Sequence, residues 1–250
     1  MNLPVNRGTW IILGATSAMA RAFARKAALE GCALVLAGRD MTELTAMATD
    51  LTLRGSPHVQ PLQFDANNPD AIGALANTAK TCVLPISVFL AFGQMPDESM
   101  MRVDPSLCAQ MIDTNYTGAV LALNALLPIL QGQRSGSVVI VGSVAGDRGR
   151  KKNFLYGSSK AGLHAYASGL AAHLSSFNVP VLLVKPGVVD TAMTWGLKNP
   201  PVPLGTPEGL AEACWKKTGK GGVLYYPWFW WGIMTLIRHL PRKIFNKLNF

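Results

Sequence analysis

Ser143, Tyr156 and Lys160 carry side chains that together can handle a carbonyl group. A phenol ordinarily titrates near ~10, so alone it is a poor acid–base group at neutral pH. Lys160 follows Tyr156 by four residues, which puts both side chains on one face of a helix. An ammonium beside a phenol stabilises the phenolate and draws the pKa down toward neutrality. Ser143 lies just beyond the apolar run Val138–Val141, where its hydroxyl can bond a carbonyl oxygen. The set suits reduction of a ketone, with Tyr156 giving a proton to the oxygen while a bound hydride donor attacks the carbon.

The rest of the chain must hold these groups in place. Continuous apolar runs at Trp10–Leu13, Ala33–Ala37, Val59–Phe64, Ile86–Ala91, Val138–Val141 and Val181–Val184 predict buried strands. Helical stretches lie between them at Ser17–Leu29, Thr42–Arg54, Asp70–Lys80, Pro105–Leu130 and Tyr156–Ser176, and Val223–Tyr226 reads as a last strand. Unbroken rather than alternating strands, with a helix between each pair, predict a parallel sheet covered on both faces. The expected architecture is a doubly wound α/β fold of Rossmann type. Residues 1–222 would form its single catalytic domain and residues 223–250 the last strand and a tail. Ligands belong outside the carboxyl ends of its strands.

The first strand-to-helix turn reads Leu13-Gly14-Ala15-Thr16-Ser17-Ala18-Met19-Ala20. A glycine directly after a strand permits a tight turn, and small residues beyond it let a pyrophosphate approach the helix N-terminus. Gly14, Thr16, Ser17, Ala18 and Met19 are therefore candidate cofactor contacts. The second strand ends Ala37-Gly38-Arg39 with no carboxylate at its tip. Dinucleotide folds that take NAD place an acid there for the ribose 2′-hydroxyl; a guanidinium suits a 2′-phosphate, so NADP(H) is favoured over NAD(H). Asp65, after the third strand, can bond the adenine amino group.

Taken together, these residues resemble the short-chain dehydrogenase/reductase family, of the size and layout called classical. The likeness spans roughly residues 8–226 and includes the Ser…Tyr-x-x-x-Lys motif with its thirteen-residue Ser–Tyr interval. It implies that Asn115, in Thr114-Asn115-Tyr116-Thr117-Gly118, holds a proton-relay water, and that Lys160 also holds the nicotinamide ribose. The segment Lys185-Pro186-Gly187-Val188-Val189-Asp190-Thr191 resembles the family's Pro-Gly-x-x-x-Thr stretch, which implies nicotinamide contacts from Pro186, Gly187, the Val189 backbone and Thr191. Two departures stand out. Ala18 and Ala20 replace later glycines of the turn, and the usual Asn-Asn-Ala-Gly is Leu90-Ala91-Phe92-Gly93, of which Ala91, Phe92 and Gly93 should line the cofactor. The alanine-rich turn, Ala91-Phe92-Gly93 and the basic aromatic tail resemble a branch that includes the reductase partner of decaprenylphosphoryl-ribose 2′-epimerase. That closer likeness implies a keto-sugar carried on a polyprenyl phosphate. The alternatives are a soluble reductase of a small ketone or acyl-thioester, or a non-catalytic NADP-binding protein.

Charge locates a second function. The chain of 250 residues has a net charge of +9, but residues 1–215 hold 16 Lys/Arg against 14 Asp/Glu. Residues 216–250 add Lys216, Lys217, Lys220, Arg238, Arg242, Lys243 and Lys247 with no acid. The basicity belongs to the tail, which argues against a nucleic-acid groove. Val223–Ile237 has no formal charge and includes Tyr225, Tyr226, Trp228, Phe229, Trp230 and Trp231; the cations follow, with Ile244, Phe245 and Leu248. Its fifteen residues fall short of the roughly 20 a spanning helix needs. Aromatics beside cations suit a segment lying in an anionic membrane interface through residues 228–250, or else a tail packed on its own domain or a second subunit. A basic patch, Arg148-Gly149-Arg150-Lys151-Lys152, should flank the active-site mouth, either as a solvated loop or as cations that receive a substrate phosphate. His58, His164, His173 and His239 have no metal-ligand spacing, and His164 reads as a packed or solvated residue. Ala161, Ala165, Gly169 and Ala172 form a small-residue stripe on the Tyr156 helix; the family resemblance implies a homodimer or homotetramer through it. Cys32, Cys82, Cys108 and Cys214 stand far apart, as reduced thiols do, and no signal peptide precedes the first strand. The expected location is cytoplasmic, peripheral on the inner face of the membrane.

Overall fold

The computed structural model describes residues 8–191 and 203–247. Seven parallel strands form one sheet: β1 (Thr9–Leu13), β2 (Ala33–Gly38), β3 (Val59–Gln63), β4 (Ile86–Leu90), β5 (Val138–Val141), β6 (Val181–Pro186) and β7 (Gly222–Tyr226). Their order, β3-β2-β1-β4-β5-β6-β7, reverses direction between β1 and β4, which is where a doubly wound sheet opens its ligand crevice. Every residue of β1, β2, β4, β5 and β6 is buried, as continuous apolar runs require. The Val59–Phe64 run departs from the expected buried strand. It is a partly exposed edge, because Gln60, Pro61 and Gln63 suit a strand with one side unpaired.

Helices α1 (Ala18–Leu29) and α2 (Met41–Leu53) cover one face of the sheet. Helix α3 (Pro69–Thr81) lies on the other, where α6 and α7 join it. Short helices α4 (Glu98–Val103) and α5 (Pro105–Ile112) follow β4. The expected single helix Pro105–Leu130 is broken: a π-helical turn, Asp113–Thr117, separates α5 from α6 (Gly118–Gln133). The turn carries Asn115, and π-turns inside helices commonly mark functional positions. Beyond β5 a 3₁₀ turn, Val144–Gly146, leads to α7 (Phe154–Ser175). α8 (Pro207–Trp215), capped by Thr206, packs on α1.

The tail folds as α9 (Trp230–His239) and α10 (Arg242–Phe245). Trp230, Met234 and Ile237 turn inward and form a small core with Val144 and Tyr225. Leu248, named above with the tail, lies outside the described residues. Among the described residues no helix is long and apolar enough to cross a membrane.

Candidate active site

The site is assembled at the carboxyl ends of β1, β4, β5 and β6. Gly14 has φ +79°, and a Cβ there would lie 2.7 Å from the Phe92 backbone nitrogen, so only glycine lets the first turn meet the end of β4. Ser17 caps α1, its Oγ accepting from Ala20 N–H at 3.3 Å. That side chain is spent on the helix, while the first N–H groups of α1, with no acceptor inside the helix, stay open to an anion. Two adjoining cavities run from this turn. One, about 240 Å³, is bounded by Gly14, Arg39, Asp65 and Gln94; the other, about 370 Å³, by Ala18, Met19, Tyr156, Lys160 and Thr191. Thr16, Ser17, Ala91, Phe92 and Gly93 line both. Such a trough, with a cation at one end and the phenol at the other, fits an extended dinucleotide. Asp65 Oδ1 accepts from Asn67 N–H at 3.0 Å, which leaves the second oxygen of this exposed carboxylate for a ligand.

Tyr156 and Lys160 leave the first turns of α7, and both are buried. The N-terminus of α7 has no cap from its own Asn153; instead Glu98 of α4 accepts the Leu155 N–H at 3.0 Å. Lys160 Nζ donates to Val141 O at 3.4 Å and stands 5.9 Å from the Tyr156 ring centre. Ser143 Oγ accepts the Ala145 N–H at 3.1 Å, and its hydroxyl stands close enough to the phenol to favour the charged form slightly. Asn115 pairs with the Gln94 backbone in both directions, each bond 2.8 Å, and donates to Ser159 Oγ at 3.3 Å. Ser159 in turn donates to Tyr156 O at 2.8 Å. A Cβ on Gly93 would lie 3.0 Å from Asn115 Oδ1 and 3.4 Å from Lys160 Nζ, so both groups pack behind Gly93, which lines the cavity.

Burial pushes the Tyr156 phenol up to about 12, against a smaller opposing effect of the Ser143 hydroxyl, and burial brings Lys160 down to about 8. Burial therefore favours the neutral phenol at Tyr156.

The family model described as "short chain dehydrogenase" matches residues 9–201. The chain belongs to the short-chain dehydrogenase family. An uncharacterized oxidoreductase of Mycobacterium tuberculosis is 34% identical over 241 residues, covering 95% of this chain and 96% of that one. One from Streptomyces coelicolor is 35% identical over 246 residues, covering 95% and 94%. Among solved structures, a short-chain dehydrogenase from Sphingobium yanoikuyae in complex with NADPH aligns with TM-score 0.78 and 23% identity, over 94% of this chain and 96% of that one. A 7β-hydroxysteroid dehydrogenase aligns with TM-score 0.87 and 20% identity, over 99% and 98%. As a short-chain dehydrogenase, the protein is an NAD(P)-dependent oxidoreductase.

Most of the short-chain dehydrogenase positions picked out by motif converge, but not all face the cavity. Of Pro186, Gly187, Val189 and Thr191, only Thr191 lines it. Val189 is buried beside Gly205, and the space a side chain at Gly187 would need is taken by the indole of Trp230. The basic patch is also redistributed. Arg148 does not face a substrate phosphate: its guanidinium donates to the carbonyls of Ile237, Arg238 and Leu240 at the end of α9 and lies 3.8 Å from the Phe245 ring centre. The freed carbonyls at a helix C-terminus attract a cation more strongly than open solvent does. Lys151 and Lys152 remain exposed.

Motif spacing missed Gln94, the partner of Asn115, and Glu98, the remote cap of α7. It also missed Asp147. That carboxylate accepts from Lys185 Nζ at 2.5 Å, from Tyr225 OH at 2.6 Å and from His164 Nδ1 at 3.5 Å. Burial alone would push Asp147 up, but the hydrogen bonds of His164, Lys185 and Tyr225 outweigh it and hold the group well below the usual carboxylate range.

Proposed function

We propose that the protein is an NADPH-dependent ketone reductase acting at a membrane surface on a lipid-linked substrate, of the polyprenyl-phosphate keto-sugar kind, or on another apolar ketone. The observation that carries the reductase reading is that Tyr156 and Lys160 line one cavity together with the start of α1, with Ser143 next to the phenol just behind Gly142. The pyrophosphate would lie on Thr16, Ala18 and Met19, the 2′-phosphate against Arg39 and the nicotinamide near Thr191. Bound there, the nicotinamide supplies a hydride.

The remaining roles belong to the chain. Ser143 orients the carbonyl oxygen; Tyr156, kept protonated by burial, delivers the proton; Lys160 steadies the phenolate left behind and holds the ribose. Asn115 braces the wall through Gln94 and Ser159, with its backbone in the π-turn supporting the proton-relay water. NADPH oxidation measured over a panel of polyprenyl-linked, steroid-like and small ketones tests the reading, and a complete lack of turnover on all of them refutes it.

Membrane attachment is supported by the outer face of the tail. Trp228, Trp231, Leu236 and Ile244 are 82%, 63%, 66% and 52% exposed, next to Arg242, Lys243 and Lys247. A homo-oligomer through α7 remains part of the proposal. Flotation with anionic liposomes, comparing the full chain with one ending at residue 227, separates surface binding from a purely structural tail.

A further inference from the structure

His164 belongs to no step described so far, yet it fills the inside of the turn that carries Ser143. Its imidazole is buried. Nε2 accepts the Ser143 backbone N–H at 3.4 Å, and Nδ1 faces Asp147 Oδ1 at 3.5 Å. The two ends of the turn close over the ring. A Cβ on Gly142 would lie 2.5 Å from Nε2, and one on Gly146 would lie 2.7 Å from Cε1. The ring therefore has the proton on Nδ1 and the lone pair on Nε2, as its two partners demand.

We propose that His164, oriented by Asp147, is a positioning residue that fixes the Ser143 turn and with it the hydroxyl that meets Tyr156 and the carbonyl oxygen. The inference rests on the reductase reading above and adds to it a residue one helical turn beyond Lys160. It also defines a pH-sensitive joint. A protonated imidazole has no lone pair on Nε2 and would aim an N–H at the Ser143 N–H, so the acceptor is lost on acidification. The charged groups facing the ring are Asp147 from the turn, Lys160 from α7 itself and Lys185 from β6, with Tyr225 of β7 on the far oxygen of Asp147. Burial is the largest influence and lowers the imidazole pKa; Lys185 and Lys160 act in the same sense, and Asp147 opposes them. The neutral, accepting form therefore persists to a lower pH than for a free histidine, and kcat should fall on the acid side as the ring charges.

Two substitutions and one spectroscopic measurement test this. In His164→Leu the ring volume is roughly kept and the acceptor removed; kcat should drop about 10- to 100-fold, the range that small misplacement of a reacting group produces, with NADPH affinity unchanged. In His164→Gln the amide oxygen can reach the Nε2 position and cannot titrate. It should restore most of kcat at neutral pH and abolish the acid limb of the kcat profile. In the wild-type protein, the Ser143 amide ¹⁵N–H resonance should shift with the same midpoint as the His164 ring protons, and that shift should vanish in the Gln variant. Wild-type kcat in His164→Leu, or an unchanged acid limb in His164→Gln, overturns the positioning role. An amide that ignores His164 titration overturns it even if the Leu variant does not fold. Co-titration in a wild-type protein that turns over no ketone refutes the reductase reading instead, and takes the catalytic role of the pair with it.

Discussion

The two halves of the sheet solve different problems with different materials. On the β1–β3 side the core is almost wholly apolar: its buried polar groups are the hydroxyls of Thr9 and Ser56, and the ionisable side chains in its core cluster are the thiols of Cys32 and Cys214. The cofactor contacts proposed there depend on backbone: a glycine turn with positive φ, a capped helix start and a strand tip. On the β5–β7 side, Lys160, His164 and Lys185 are buried with the Asp147 carboxylate among them. Binding a phosphate asks only for N–H groups at a helix end, which tolerate many side chains. Moving a proton requires particular atoms at particular distances, and a buried charge must then be paired to be tolerated at all. The chemical half therefore contains the energetically demanding contacts, and substitutions should separate the two.

The sharpest separation comes from Tyr156→Phe. Loss of the phenolic proton should lower turnover by at least about 10²- to 10⁴-fold, the usual contribution of a general acid. NADPH binding, measured by fluorescence titration, should change less than about twofold, because the phosphate contacts lie at the other end. Retained turnover would break the division.

Asp147→Asn tests stability on the same side. Removing one member of a buried pair leaves Lys185 uncompensated and should cost about 3 kcal/mol in denaturant unfolding. The sign with pH is fixed by the depressed carboxyl. Its contribution is complete above the unfolded carboxylate pKa near ~3.9 and is lost as pH falls toward the lower folded value. The difference between wild type and variant should thus narrow below about pH 4. A constant difference across that range would mean that packing, not charge, holds the four elements together.

The unequal legibility of the halves follows from the same contrast. The strands were readable because burial on both faces forces continuous apolar runs, and the Ser143–Tyr156–Lys160 set because α7 and the end of β5 impose fixed spacing. Edge strand β3 was overestimated, since Val59 and Leu62 disguise a segment that is only half-buried from Val59 to Leu62 and exposed at Gln63. The break at Asn115 was hidden because a π-turn has the composition of the helices around it. The Asp147 network was hidden for another reason. It joins residues from β6, β7, α7 and a loop, with sequence separations of 17 to 78 that no local pattern records. The role of Arg148 was inverted: beside other cations it suggests a phosphate site, and only the fold brings the carbonyl ends of α9 to it.

On the cofactor side the corresponding substitution is Arg39→Ala. A charge-assisted bond to a 2′-phosphate is worth about 1.5–3 kcal/mol, so KM for NADPH should rise roughly 10- to 100-fold. KM for NADH should hardly move, and the unfolding free energy should stay within about 0.5 kcal/mol because Arg39 is exposed. An equal loss for both cofactors would mean that the guanidinium shapes the β2 loop rather than reading the phosphate.

The smallest effect belongs to the tail, which meets both worlds: its inner face is bound to the chemical half through Trp230 and Arg148, and its outer face exposes Trp228, Trp231, Leu236 and Ile244. Each exposed cation near an anionic surface contributes about 1 kcal/mol, so Arg242→Gln should weaken partitioning onto anionic vesicles roughly fivefold. It should leave ketone reduction in detergent-free buffer and thermal unfolding unchanged, because the Arg242 side chain supports no buried contact. Arg148→Met should do the reverse: it removes the donor to three carbonyls at and just beyond the end of α9, loosens the tail from the Ser143 turn, and lowers turnover before it affects vesicle binding. If both substitutions instead change the two readouts together, the tail's inner and outer faces act as one unit, and the boundary between catalysis and attachment lies further along the chain than α9.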